Sequence, residues 1–483
     1  MYIGLDLGSS GLRALLIDEQ QTVRGSAESH YEMLRPHPGW SEQNPADWIA
    51  ATKACFAALN AEFPKDMKAV RGIGISGQMH GATVLDAARR VLRPCILWND
   101  TRSAVEAAAL DADPRFRDLT GNIVFPGFTA PKLAWMRTHE PDLFAQVDLV
   151  LLPKDYLRLW LTGEEVGDFS DAAGTSWLDG GSREWSAGLL AETGLTPANM
   201  PPLVHGSASS GHVRDAVAGE LGLPTGVTVA GGGADNAVAA CGIGAVRGGQ
   251  GFVSLGTSGV LLAAIDQWAT SPAQAVHAFC HAVPDAWYQM GVTLSATDSA
   301  NWLSGVTGQS VPEMAASVGE TVRGPSEVMF LPYLSGERTP HNDASMRGAF
   351  IGLAHQSDSA ALMQAVMEGV AFSMADCMDA LKSSGTAIDS LLAIGGGSQS
   401  RFWVETLATV LGQPIGLLAG GENGAAMGAA RLAIMATTGG STAEIMHTPT
   451  AAETIDPRRE HSAAYADALA RYRRLYPALK ASL

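Results

Sequence analysis

One eight-residue pattern occurs twice in this chain of 483 residues. Residues 5–12 (LDLGSSGL) align without a gap on residues 253–260 (VSLGTSGV), at an offset of 248, about half the chain. Each copy reads as a strand, a turn of small residues and a second strand. The repeat calls for two related lobes, residues 1–245 and 246–483, each opening with such a hairpin. Eight small and apolar positions also match by coincidence, so the repeat alone leaves that alternative open. The length allows two or three domains at roughly 150 residues each. Strand-like alternation and helical periodicity interleave throughout, which argues for an α/β protein. A helix is expected from Pro45 to about Leu59, capped by Asn44, another over residues 358–381, and a terminal one over residues 461–475 that stops before Pro477.

Charge excludes several partners. With 32 basic and 49 acidic residues the net charge is −17, which repels nucleic acid and anionic membrane surfaces. A hydrophobic content of 46 % excludes a disordered chain. The five cysteines, Cys55, Cys95, Cys241, Cys280 and Cys377, are scattered and never spaced Cys-x-x-Cys, so they read as reduced, buried thiols. The first residues carry no basic and apolar leader, and no long uncharged apolar run follows. A soluble, cytoplasmic protein without nucleic-acid or membrane partners is expected. The 54 glycines are dense in two stretches, eleven over residues 226–259 and nine over residues 395–428.

Turns of Gly, Ser and Thr expose successive backbone N–H groups and hydroxyls to an anion. Two such turns facing each other form a clamp for a polyphosphate. The copies differ at one chemical position, Asp6 in the first against Ser254 in the second. A carboxylate beside a phosphate clamp calls for a magnesium ion between them, usually held through water. Asp6 is therefore read as part of a magnesium–nucleotide site. No Gly-Lys dipeptide occurs, so a Walker A loop is absent. Residues 72–77 (GIGISG) spell a dinucleotide fingerprint, but the chain runs on into another strand-like segment where a helix is required. His277 and His281 have zinc-like spacing, yet Ala278 stands where a zinc protease needs glutamate, and two histidines on one face of a strand is the simpler reading.

Several motifs together resemble the FGGY carbohydrate kinases, within the actin, hexokinase and heat-shock chaperone ATPase superfamily. They are residues 3–11, FTAPKLAWM at 128–136, GGGADN at 231–236, LGTSG at 255–259, GERTPHND at 336–343 followed by RGAFIGL at 347–353, and IGGGSQSR at 394–401. WSEQ at 40–43, SGQMHG at 76–81, LWNDTR at 97–102 and LPKDY at 152–156 are similar to members acting on D-xylulose. Arg13 departs from the lysine many relatives carry, and residues 344–346 replace a stretch that often holds proline.

The resemblance implies two ribonuclease H-like lobes with a central cleft where ATP and sugar meet. It implies ATP-dependent phosphorylation of D-xylulose to D-xylulose 5-phosphate. Asp235 is the expected general base, since an ordinary aspartate is ionised at pH 7 and accepts the proton of a sugar hydroxyl. Asp6 is the expected magnesium neighbour, with ATP and Mg2+ as the cofactors. Met79, His80, Asn236 and Arg102 are the implied sugar-binding residues. Ser9, Ser10, Arg13, Gly256, Thr257, Gly396, Gly397 and Arg401 are the implied ATP-binding ones. Closure of the lobes on the sugar and a homodimer are further expectations. L-Ribulose, gluconate and glycerol stay open as acceptors, as does an actin- or chaperone-like ATPase.

Overall fold

A computed structural model describes residues 1–418 and 424–482. Part of the second glycine-dense stretch, residues 419–423, lies outside the described residues. In the first lobe β1 (Tyr2–Leu7), β2 (Gly11–Ile17) and β3 (Val23–His30) form an antiparallel meander. Then come α1 (Pro45–Glu62), β4 (Gly72–Gly77), α2 (Thr129–His139), α3 (Pro153–Thr162), β5 (Ser209–His212), β6 (Thr228–Ala230), β7 (Gly233–Ala234) and α4 (Asp235–Ile243). The sheet order is β5-β6-β4-β1-β2-β3, with β7 also on β4. β4 runs parallel to β1, β6 and β7.

The second lobe holds β8 (Gly249–Leu255), β9 (Gly259–Ile265), β10 (His277–Cys280), β11 (Trp287–Thr293), α5 (Ser359–Ser383), β12 (Ile388–Ile394), α6 (Arg401–Leu411), β13 (Ile415–Leu417), α7 (Gly424–Thr438), β14 (Glu453–Ile455) and α8 (Ser462–Lys480). Its sheet order is β10-β11-β9-β8-β12-β13-β14. A meander of three strands followed by two parallel ones therefore occurs in both lobes, β1 corresponding to β8 and β2 to β9. The repeated sequence lies on the two hairpins. Their turns differ by one residue: Leu7 faces Leu12 in the first, whereas Leu255 faces Gly259 in the second.

β1 is buried on both sides, and its period of two sorts its residues. Ile3, Leu5 and Leu7 join Trp48 and Phe56 of α1 in one core. Tyr2 shares the opposite core with Ala426, Ala430, Ala433 and Ile434 of α7. Thus α7, which lies between β13 and β14 of the second sheet in sequence, packs on the first. In exchange, α4 residues Ala237, Val238 and Cys241 share a core with Phe252 and Leu262 of the second sheet. The two helices cross with their backbones in contact: a Cβ on Gly428 would overlap the carbonyl oxygen of Val238, and one on Gly242 that of Gly424. The same holds for Gly4 and Gly74 beneath α7, where a Cβ would overlap the carbonyls of Ala426 and Ala429.

Local signals behave as expected at most helix ends. Asn44 caps α1 by accepting from the Ala46 amide at 3.1 Å, and Asp358 caps α5 by accepting from Ala361 at 2.9 Å. Residues 72–77 form β4 and open no helix. The expected stop before Pro477 is corrected: α8 runs through it to Lys480. Tertiary bonds hold that last turn, from Tyr476 Oη to Asp343 at 2.9 Å and from Lys480 to Asp343 at 2.8 Å. All five cysteines are buried and unbridged. No helix among the described residues is long and apolar enough to cross a membrane.

The helix crossing yields a stability prediction. Gly428→Ala must push two backbones apart and is expected to cost about 3 kcal/mol, the upper end of ordinary overpacking. Gly305→Ala, whose Cβ meets nothing within 4 Å, is expected to stabilise by about 0.5–1 kcal/mol. Denaturation midpoints of the two variants check the contrast, and equal midpoints would contradict it.

Candidate active site

Three strands of the first sheet end side by side. Asp6 and Leu7 of β1 lie opposite Ser76 and Gly77 of β4, which in turn lie opposite Gly233 and Ala234 of β7. The register therefore gathers Asp6, the segment Gln78-Met79-His80 that leaves β4, and Asp235 with Asn236 that open α4. Ligands of open α/β sheets bind beyond the carboxyl ends of such strands.

The first turn, residues 8–11, is held by a polar mesh. Ser9 donates its hydroxyl to Gln78 Oε1 at 3.0 Å and accepts from Trp98 Nε1 at 2.8 Å. Gln43 donates to the Ser9 carbonyl at 2.5 Å and accepts from Gln78 Nε2 at 2.8 Å. Tyr31 donates to the Gly8 carbonyl at 2.6 Å, and Ser10 stays exposed at the tip. The second turn is fixed from behind, the Gly256 carbonyl accepting from Thr297 at 2.9 Å and that of Thr257 from Ala296 at 2.8 Å.

Between the lobes opens a cleft of about 740 Å³, lined among others by Asp6, Arg13, Ser254, Gly395, Gly396 and Gly424. Asp6 and Ser254, the one chemical difference between the repeats, thus share it. α7 begins at Gly424, so its N-terminus faces the cleft, a favourable end for an anion. A Cβ on Gly396 would meet nothing within 4 Å, whereas one on Gly397 would press on Leu255 at 2.7 Å. Arg13 pairs with Glu28. Arg401 is exposed and pairs with Glu453.

His80 is the most constrained residue of the group. Its φ of 69° is left-handed, rare for a side-chain-bearing residue. Its carbonyl accepts from Thr129 Oγ1 at 3.1 Å and from Lys132 Nζ at 2.8 Å, both on α2. Its ring stacks on Phe128 at 4.3 Å, and Nδ1 bonds the Gly174 carbonyl at 2.6 Å. A carbonyl only accepts, so Nδ1 carries the proton. Burial lowers the His80 pKa to about 3, so the ring is neutral and Nε2 is an acceptor. Burial likewise lowers Lys132 to about 7. Met79 is 4 % exposed and shares the inter-lobe core with Phe125 and Phe128.

Burial also governs the carboxyl groups. It pushes Asp235 up to about 7, opposed by the Asn236 amide and aided by the charge of Asp6. Asp235 Oδ1 accepts from Asn236 N at 2.7 Å and from its Nδ2 at 2.9 Å. Asp6 is raised by burial as well, with Ser76 and Arg13 opposing. Among the described residues no three His, Cys, Asp or Glu side chains converge as a metal site.

Arg102 is engaged elsewhere, bonding Asp100 at 2.7 Å and Glu42 at 2.7 Å while its guanidinium lies 3.6 Å over the Trp40 ring. Arg338 was not singled out by sequence. It comes from the second lobe, sits 4.3 Å over Phe125 and 3.4 Å from His277 Nε2, and has no carboxylate partner among the described residues. His277 is buried on β10, in the strand setting expected of it. Gln43, Gln78 and Trp98, which build the first turn, lay inside recognisable segments, but pairing them needs the fold.

Residues 1–242 match the FGGY family of carbohydrate kinases, N-terminal domain, and residues 251–437 its C-terminal domain. The chain is 46 % identical over 482 residues to the xylulose kinase of Escherichia coli (strain K12), covering 99 % of each. It is 48 % identical over 438 residues to that of Klebsiella pneumoniae, covering 90 % of each. The fold matches a crystal structure of a xyloylose kinase from Brucella ovis, with a TM-score of 0.98 and 57 % identity over all of both chains. It matches the xylulose kinase of Rhodospirillum rubrum at a TM-score of 0.91 and 30 % identity over 99 % of both. A glycerol kinase from Plasmodium falciparum, 18 % identical with a TM-score of 0.89 over 97 % of both chains, shares the fold. Both halves of the sequence and both lobes of the structure are thus accounted for, and the chain belongs to the FGGY family of carbohydrate kinases.

Proposed function

We propose that this protein transfers the γ-phosphoryl group of ATP to the 5-hydroxyl of D-xylulose, giving D-xylulose 5-phosphate and ADP. The observation that carries the chemistry is the convergence of Asp235, Asp6 and His80 at adjoining strand ends, with Asp6 lining the inter-lobe cleft. The choice of sugar is supported by near-full-length relatives that are xylulose kinases.

Phosphoryl transfer depends mainly on positioning and charge neutralisation. The sugar oxygen attacks the γ-phosphorus, the bond to the β,γ-bridging oxygen breaks, and the hydroxyl proton passes to Asp235. Asn236 engages Oδ1 of Asp235, which leaves Oδ2 for that proton. A base whose pKa lies near the working pH is efficient, and burial brings Asp235 there. Neutral His80 accepts a sugar hydroxyl at Nε2, Met79 packs on a carbon face, and Asn236 completes the sugar side, whereas Arg102 is held away by Glu42 and Asp100. Arg338 adds a cation from the second lobe. Ser9, Ser10 and Arg13 face the phosphates from one lobe and Gly256 and Thr257 from the other, with Gly396, Gly397 and Arg401 toward the adenosine. A magnesium ion beside Asp6 would neutralise phosphate charge. Closure of the lobes excludes water, the competing nucleophile. A reduced, ATP-containing compartment, the cytoplasm, fits five buried unbridged thiols.

A coupled ADP assay with D-xylulose, L-ribulose, gluconate and glycerol tests the reading. D-Xylulose is expected to give the highest kcat/KM, and ADP release without sugar to be minor; sugar-independent release would favour a plain ATPase. Asp235→Asn is expected to lower kcat about 10²- to 10⁴-fold, the usual worth of a general base, while nucleotide binding by calorimetry is retained. Near-parental turnover would remove Asp235 from the base role. Because only ionised Asp235 accepts the proton, log kcat/KM is expected to fall with unit slope below about pH 7 and to level off above it. A profile flat from pH 5 to 7 would contradict this.

A further inference from the structure

The segment LPKDY at 152–156 carries charge into the interior, where the proposed chemistry does not use it. Lys154 and Asp155 open α3, and Arg158 lies one turn on. Lys154 and Arg158 are 0 % exposed and Asp155 2 %. Lys154 Nζ lies 2.5 Å from Asp155 and 2.7 Å from Asp168 Oδ1. The other oxygen of Asp168 accepts from the Ser170 hydroxyl at 2.6 Å and from its amide at 2.7 Å. Ser170 Oγ in turn accepts from the Ala234 amide at 3.1 Å, and Ala234 is the residue before Asp235. At the other end of the same turn Arg158 donates to the carbonyl of Gly231 and bonds Asp155 at 2.9 Å.

Every link is desolvated, which makes the network costly to leave incomplete. A stabilising ion cluster can sit anywhere in a core. This one ends on both flanks of the four-residue turn that carries Asp235. The packing is built around it: a Cβ on Gly233 would stand 2.6 Å from Ser170 Oγ, and one on Gly77 2.8 Å from the Lys154 Cβ. Apart from the Ala234 methyl the segment has no side chain with which to hold its shape, and only its last two residues pair with β4.

We propose that Lys154, Arg158, Asp168 and Ser170 are positioning residues that clamp residues 231–234 and so fix the carboxylate of Asp235 against the sugar hydroxyl. The inference rests on the reading of Asp235 as base. Misplacement of a reacting group by an ångström costs up to about 100-fold, so the clamp acts on kcat and leaves the binding of either substrate alone.

The test compares Ser170→Ala, Asp168→Asn and the double variant in the full-length enzyme. Each single change is expected to lower kcat about 10- to 100-fold while KM for D-xylulose and for ATP stays within about twofold. Because both residues act through one chain of bonds, the double variant is expected to be no slower than the slower single one. Ser170→Thr, which keeps the hydroxyl, is expected to recover most of the loss. A merely structural cluster would lower the melting temperature and leave kcat within about twofold, or give multiplicative losses, and either result overturns the proposal. If Ser170→Ala fails to fold, the nearly isosteric Asp168→Asn decides alone. Near-parental turnover of Asp235→Asn would instead strike the reading beneath it, so the two failures are distinguishable.

Discussion

The backbone contact between α4 and α7 at Gly242 and Gly428 holds the molecule together as a working unit. α7 lies on the sheet of the first half, and both helices contribute to a core shared between the halves, α4 with Ala237, Val238 and Cys241 and α7 with Ala429 and Leu432 beside Phe252 and Leu262 of the second sheet. The lobes are therefore interlocked rather than strung on a linker. The exchange also sets the chemistry. α4 begins with Asp235, and α7 begins at the cleft. Because the helices touch without side chains between them, Asp235, the proposed base, and the cleft-facing end of α7 are held in one fixed relation. An alanine at either crossing glycine would separate them by the width of a methyl group.

A second constraint is electrostatic. On the proposed reading, a protein of net charge −17 has to accept a polyanion next to two carboxyl groups, Asp6 and Asp235. Burial raises both pKa values, that of Asp235 to about 7, which lessens the charge Asp235 carries near neutral pH. The remaining attraction comes from a helix N-terminus and turns of small residues, with Arg13 among the cleft-lining side chains. The glycine excess thus has two separate uses. Gly4, Gly74, Gly242 and Gly428 let one backbone reach another, and those of the two turns are the ones proposed to let an anion reach the backbone.

Much of the fold was legible because turn chemistry and periodicity are local. The duplicated hairpins, α1 with its Asn44 cap and the long helix from about residue 358 follow from residues within a few positions of each other. Asp6 stood out because its counterpart is Ser254. What depends on distant pairing was not legible. The passage of α8 through Pro477 is secured by Asp343, more than a hundred residues earlier. The exchange of α4 and α7 leaves no trace in periodicity, since a helix pressed on a sheet reads the same whichever sheet it meets. Arg102 was singled out as a sugar contact, and only the fold shows its ion pairs with Glu42 and Asp100. Arg338 and the clamp from Lys154 to Ala234 join segments that nothing in the sequence connects.

The account stands on one geometric claim, that the sugar hydroxyl meets Asp235 where the interlocked helices hold it. A crystal structure with D-xylulose and a non-hydrolysable ATP analogue measures this directly. The account requires an Asp235 carboxylate oxygen within about 2.6–3.2 Å of the 5-hydroxyl, with the γ-phosphorus on the far side of that oxygen and the crossing of α4 and α7 unchanged. A sugar bound in the cleft with its 5-hydroxyl beyond hydrogen-bonding reach of Asp235, or a nucleotide away from the two turns, would contradict it.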